Sequence, residues 1–350
     1  MKKRHGGDWY SYQQETGKEP LDFSASISPF GMPESVKRAI IDSLDLADRY
    51  PDPDCRKLRG KLSGMLGVSP KEIVCGNGAS EVLDLFIRAI APGNALLPVP
   101  CFSEYEASLM RIGTKITYVP CERSNGFSPD ASLANRLEDE TDLVILGHPA
   151  NPGGTCMPFE TLSSLAELCT AKRTFLLVDE CFLDYVEDGD RCSLLRHPVF
   201  QSGYVILIRA FTKYYAMAGL RLGYGICCNR ELMDKLDEIR IPWSVSTLAQ
   251  NAGIAAIQDM QYAKKIDKWL LKERTFLQGE LTNLGCDVIE GRANFLLFYS
   301  HCPNLDDRLR KQGILIRDCS DYEGLGRGWY RVSIRTREDN LFLLDAMKGI

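Results

Sequence analysis

Between residues 73 and 227 the chain repeats one pattern: a short apolar run, a break rich in glycine or polar residues, then a segment of helical period. The runs cover 73–75, 95–97, 116–119, 143–146, 175–178, 205–208 and 224–227. They are too short for helices, and consecutive positions are apolar, as a strand covered on both faces requires. Helical spacing marks 80–89, 104–110 and 158–171 among the intervals. Strands alternating with helices predict an α/β fold with a largely parallel sheet between helical layers. At roughly 150 residues per domain, a chain of 350 residues is expected to form about two domains.

The flanks differ. Residues 1–32 are rich in Gly, Ser and Pro and read as irregular. Pro33 stands at the first turn of a helical segment, where its fixed φ is favourable. The loop Arg49-Tyr50-Pro51-Asp52-Pro53-Asp54 separates that segment from a second helix ending at Leu66. Residues 245–284 hold helical period without a proline and predict a long helical segment able to bridge two domains. Runs at 294–299, 314–316 and 330–334 mixed with helices predict a smaller α+β unit.

Composition narrows the function. Lys and Arg total 42 against 47 Asp and Glu, for a formal charge of −5, and no long basic run occurs. Nucleic acid and anionic membrane are therefore not expected partners, although a local basic pocket is compatible with the total. Thirteen cysteines include no Cys-x-x-Cys pair, and the four histidines are scattered, so no metal site is expected. The start, Met-Lys-Lys-Arg-His-Gly-Gly-Asp, lacks the apolar stretch of a secretory leader. The longest apolar runs fall far short of a membrane span. The cysteines thus read as reduced thiols of a cytoplasmic protein.

Three motifs carry chemistry. Gly76-Asn77-Gly78-Ala79-Ser80 lies between a strand and a helix, where N–H groups at the helix start suit a phosphate. A tight turn alone also uses glycine there, and the third glycine of a dinucleotide fingerprint and the lysine of a P-loop are missing. Asp179-Glu180 ends a strand, where an open α/β sheet keeps its ligand crevice, or where acids are simply solvated. Lys213 follows the run 205–208 among Thr212 and aromatic residues; a desolvated lysine there has the lowered pKa of a Schiff-base former. Arg221, eight residues on, is able to clamp a phosphate.

In this order, and with Asn151-Pro152-Gly153-Gly154 between the first two, these motifs resemble the fold-type I pyridoxal-phosphate enzymes of the aspartate aminotransferase superfamily. The resemblance extends from about His5 to Ile350, and the branches it is most similar to are threonine-phosphate decarboxylase and histidinol-phosphate aminotransferase. It implies a mostly parallel seven-stranded sheet in a large cofactor domain, residues 42–242, and a small domain with an N-terminal arm from 1–41 and 243–350. It implies pyridoxal 5'-phosphate as cofactor. Lys213 would hold it as a Schiff base, with Asp179 on the ring nitrogen, Asn151 on the ring hydroxyl and Phe102 stacked on the ring. Gly78, Ala79, Ser80, Thr212 and Arg221 match the phosphate cradle, and Tyr50 matches a tyrosine that reaches the site of a second subunit in a homodimer.

The chain departs from the common pattern in four places. Ala210 replaces a Ser or Thr, Phe182 a Tyr, Ser26 an Asn and Gly153 a Thr. Phe182 and His5-Gly6-Gly7 resemble the decarboxylase branch. Arg317 and Arg331 match arginines that handle the substrate, and with Arg335 and His5 they are expected to form an anion pocket. The resemblance therefore implies decarboxylation of O-phospho-L-threonine, with O-phospho-L-serine as an accepted neighbour, in cobalamin-type biosynthesis. The alternative is a histidinol-phosphate or related class I/II aminotransferase.

Overall fold

The computed structural model describes residues 5–350; residues 1–4, the basic stretch at the chain start, lie outside it. All seven apolar runs are strands of one sheet. Its order is Ile73–Asn77, Leu222–Ile226, Val205–Ala210, Phe175–Asp179, Leu143–Gly147, Asn94–Val99 and Lys115–Pro120. Leu222–Ile226 runs antiparallel to both of its neighbours, and the remaining pairs are parallel.

Successive side chains of a strand point to opposite faces, and here both faces are covered. Val144, Leu146, Leu176, Val178, Val205 and Leu207 enter one buried cluster. Leu143, Ile145, Leu177, Ile206 and Ile208 enter the cluster on the other side. This two-sided burial is why the strands read as uninterrupted apolar runs. It also sorts the acids at the end of Phe175–Asp179. Asp179 stays with the Leu177 face, while Glu180 turns to the other side. There it is fully buried, accepting from Arg209 Nε at 2.8 Å and from Ser193 Oγ at 2.7 Å. Of the two carboxylates read together in the sequence, only Asp179 is left for a ligand.

The second unit is built from both ends of the chain. A four-stranded antiparallel sheet has the order Arg317–Asp318, Trp329–Ser333, Phe295–Tyr299, Asp287–Val288. Leu21–Asp22 pairs in parallel with Ile314–Leu315, and Asn294 Nδ2 donates to Ser26 O at 2.8 Å, which ties the N-terminal segment to this unit. That segment is less irregular than expected, because Trp9–Thr16 is a helix whose first turn is capped by Asp8.

Two boundaries are corrected. The helical stretch after residue 245 is two helices, Thr247–Gln258 and Met260–Asn283. Asp259 separates them, and its side chain accepts from Tyr262 N to start the second. Only the second belongs to the small unit. Ala249, Ala252 and Ala256 of the first, together with Val36 of the helix Glu34–Ile41, are buried with Leu58 and the large sheet. The large unit thus takes in segments that the division at 42 and 242 assigned to the small one. The amphipathic pattern showed that these helices have an apolar face but not which sheet it covers. No helix of the described residues is long and apolar enough to cross a membrane.

Removing one partner of the Glu180–Arg209 pair leaves a buried, uncompensated charge. Glu180→Ala is expected to lower unfolding stability by about 3–5 kcal/mol, read as a shift of the urea midpoint. A shift equivalent to less than about 1 kcal/mol would show that the pair is solvated.

Candidate active site

The C-terminal ends of four parallel strands open into one cavity of about 380 Å³ between the two units. Polar side chains collect there because the sheet faces are occupied by apolar packing, leaving the strand ends and following loops as the place for a crevice. Phe102 enters after Asn94–Val99, Asn151 after Leu143–Gly147, Asp179 at the end of its strand, and Thr212 and Lys213 after Val205–Ala210.

Lys213 is held at the centre. Its carbonyl accepts from Ser28 N at 3.0 Å and from Tyr185 Oη at 2.8 Å, and its Nζ donates to Ala25 O at 3.2 Å. Burial first, and then the charge of Arg331, draws its pKa down to about 8. The amine is thus available as a nucleophile near neutral pH, unlike a solvated lysine at about 10.4. Asp179 receives Tyr105 Oη at 2.6 Å on Oδ2 and Cys181 N at 2.9 Å on Oδ1.

At one end of the cavity the helix Ala79–Ile90 begins, with Gly78 at its N-cap and φ of +82°. A Cβ on Gly78 would lie 2.3 Å from Arg221 Nη2, so the guanidinium rests directly on the bare glycine. Helix N–H groups and a guanidinium here make a cradle for a phosphate-sized anion. Ala79, Ser80, Thr212 and Ala210 complete its lining, and Ala210 adds no hydroxyl.

The small unit contributes Arg317 and Arg331 to the lining, both 7% exposed. Arg331 bonds Asn151 Oδ1 and Ser24 O, its guanidinium lies 4.9 Å from the Phe295 ring centroid, and its Nε has no partner. Arg317 is paired with Asp321. Phe102 packs edge-on to Tyr105, and His5 closes the mouth with Nε2 3.2 Å from Glu104 Oε1. Phe182 presses edge-on against Phe295 and brings no hydroxyl.

One of the residues expected at the site lies elsewhere. Arg335 does not line the cavity. Its Nε donates to Asp339 and its Nη1 to Asp22 O, because past the end of Trp329–Ser333 the side chain turns toward the helix Arg337–Lys348. The three-arginine pocket is thus a pair. Tyr50, expected to serve the site of a second subunit, is 83% exposed, lies beside Trp243 with the rings tilted by 33°, and does not line the cavity of its own chain. Ser26 is buried with φ of +51°, a conformation in which Asn is the better tolerated residue. Gly153 is tightly fitted: a Cβ would lie 2.6 Å from Gly126 O, so a threonine needs that loop moved. Sequence reasoning missed Tyr105, Tyr322 and Ser24. Tyr105 had a signal, one helical turn after Phe102; Ser24, contributing a carbonyl, had none.

Residues 18–347 match the family described as Aminotransferase class I and II. The chain belongs to this family. It is 34% identical to the threonine-phosphate decarboxylase of Salmonella typhimurium, over 99% of this chain and 96% of that protein. It is also 34% identical to the histidinol-phosphate aminotransferase of Oleidesulfovibrio alaskensis, over 94% of this chain and 87% of that protein. The crystal structure of the histidinol-phosphate aminotransferase from Clostridium acetobutylicum superposes with a TM-score of 0.88 at 30% identity, covering 94% of this chain and 98% of that one.

The lowered pKa of Lys213 sets a pH dependence. Covalent capture of an aldehyde by the apoprotein, with pyridoxal phosphate as probe and absorbance as readout, should accelerate with pH and level off above about 8. A rise continuing to about 10 would mean a solvated lysine is responsible, and capture surviving in Lys213→Ala would exclude Lys213.

Proposed function

We propose that this chain is a pyridoxal-phosphate-dependent decarboxylase of O-phospho-L-threonine, giving 1-aminopropan-2-ol phosphate. The residues fit the cofactor: a cradle at Gly78 and Arg221 for its phosphate, an amine of lowered pKa at Lys213 for its aldehyde, and the Asp179 carboxylate for its ring nitrogen. Once bound, the cofactor supplies an electron-accepting ring for the pair released at the substrate Cα.

The protein's own contributions follow from the cavity. Asp179, fixed by Tyr105, holds a proton at the ring nitrogen. Asn151, steadied by Arg331, serves the ring hydroxyl, and Lys213 returns a proton to Cα. Arg317 and Arg331 would grip the substrate's anionic groups, and that grip would orient the substrate and so select which of its Cα bonds is broken. The observation that carries the substrate reading is Arg331. It is a buried cation bonded only to neutral oxygens, with Nε unpartnered and no carboxylate paired to it among the described residues. Such a charge calls for an anionic ligand. The full-length likeness to a threonine-phosphate decarboxylase and the apolar Phe182 favour loss of carbon dioxide over amino transfer.

The deciding measurement is carbon dioxide release from O-phospho-L-threonine with no 2-oxo acid present. O-phospho-L-serine should follow more slowly, since one methyl discriminates by about 1–3 kcal/mol. Amino transfer from histidinol phosphate to 2-oxoglutarate without carbon dioxide release would overturn the reading.

The working unit in this reading is a homodimer in the cytoplasm. Thirteen cysteines, none in a disulfide among the described residues, suit a reducing compartment. Tyr50, Trp243 and Ile241 form an exposed apolar patch suited to a second copy, whose site would receive Tyr50. Tyr50→Phe should weaken cofactor retention in dialysis while sedimentation still reports a dimer. Unchanged retention, or a wild-type monomer, would remove the shared site.

A further inference from the structure

Arg317 and Arg331 are equally buried but not equally compensated. Arg317 Nη2 donates to Asp321 Oδ1 at 2.8 Å and Oδ2 at 3.0 Å, and its Nη1 donates to Asp318 O. Its guanidinium lies 5.2 Å from the centroid of Tyr322, on the same loop as Asp321. Arg331 has no such partner.

The side from which Asp321 approaches is informative. Arg317 and Tyr322 line the main cavity, whereas Asp321 does not. Asp321 lies in an adjoining crevice with Val99, Glu106 and Tyr118, and Arg317 and Tyr322 form the partition between the two spaces. The carboxylate therefore holds the guanidinium from behind. Five N–H donors fan out from an arginine, and the three bonds described, two from Nη2 and one from Nη1, leave the Nε–H and one Nη1–H for a ligand. The loop itself is fixed: Asp318 accepts from Ser320 N at 2.9 Å and from Ser320 Oγ at 2.8 Å, and Tyr322 Oη reaches Asn151 Oδ1 at 3.4 Å.

We propose that Asp321 is a positioning residue for substrate recognition: it fixes the plane of Arg317 so that the remaining N–H groups meet the anionic group of the incoming substrate. This rests on the reading that the cavity takes a small phosphorylated amino acid. Losing a charge-assisted bond that orients a guanidinium weakens what it grips without touching the bond-breaking groups.

The test uses the cofactor-loaded full chain. Asp321→Ala should raise KM for O-phospho-L-threonine about tenfold with kcat within about twofold, and Asp321→Asn, which keeps one acceptor oxygen, should raise KM about two- to threefold. In parallel, phenylglyoxal labelling is mapped by mass spectrometry. Arg317 should react about fivefold faster in Asp321→Ala, with Arg331 unchanged. A lower KM in Asp321→Ala would mean that Asp321 competes with substrate, and an unchanged KM or a parallel fall in kcat would equally overturn the proposal. If wild type neither decarboxylates O-phospho-L-threonine nor is protected by it at Arg317, the substrate reading fails. The labelling arm then still decides: an unchanged Arg317 rate in Asp321→Ala overturns positioning.

Discussion

Burial of both faces of the parallel sheet is the constraint on which the rest depends. Two apolar clusters take up the alternate side chains of its central strands. Polar groups have little place along the strands and accumulate where the strands end. That edge gathers Phe102, Asn151, Asp179 and Lys213, far apart in sequence, on one rigid floor. The same alternation sends Glu180 to the opposite face, where Arg209 neutralises it, so adjacent carboxylates have unrelated roles.

The cavity is cationic. Arg221, resting on Gly78, comes from the large unit and Arg317 and Arg331 from the small one, and the charges of Arg331 and Arg221 both act on Lys213. Burial and the neighbouring Arg331 keep its amine less protonated than in water. A nucleophilic amine beside helix N–H groups and several arginines is complementary to a cofactor that carries an aldehyde and a phosphate. Arg317 and Arg331 come from the small unit, and Arg331, bonded to Asn151 of the large unit and to Ser24 O, physically links the two.

Much of this was legible beforehand. Every apolar run became a strand because period and burial agree. The motifs around Gly78, Asp179 and Lys213 kept their place at strand ends because strand-to-loop junctions are local features. The helices Glu34–Ile41 and Thr247–Gln258 were assigned to the wrong unit because an apolar face does not name its partner. Arg335 was misread for a similar reason: a cation four residues beyond Arg331 has the right type, but the chain turns in between and Asp339 captures it.

The sequence by itself determined the α/β class, because that follows from local periodicity, and its ordered motifs carried the resemblance that implied the family and the residues around the cofactor. Only the tertiary structure decided which charges are compensated. Glu180 and Arg209, Arg317 and Asp321, and Arg335 and Asp339 are paired, whereas Arg331 has neutral partners only. Charge compensation depends on approaches of a few ångströms: Glu180 and Arg209 come from adjacent strands, and Arg317–Asp321 and Arg335–Asp339, though four residues apart, meet only because the chain turns back after each arginine. That is also why the tertiary structure was needed to find Asp321 behind Arg317.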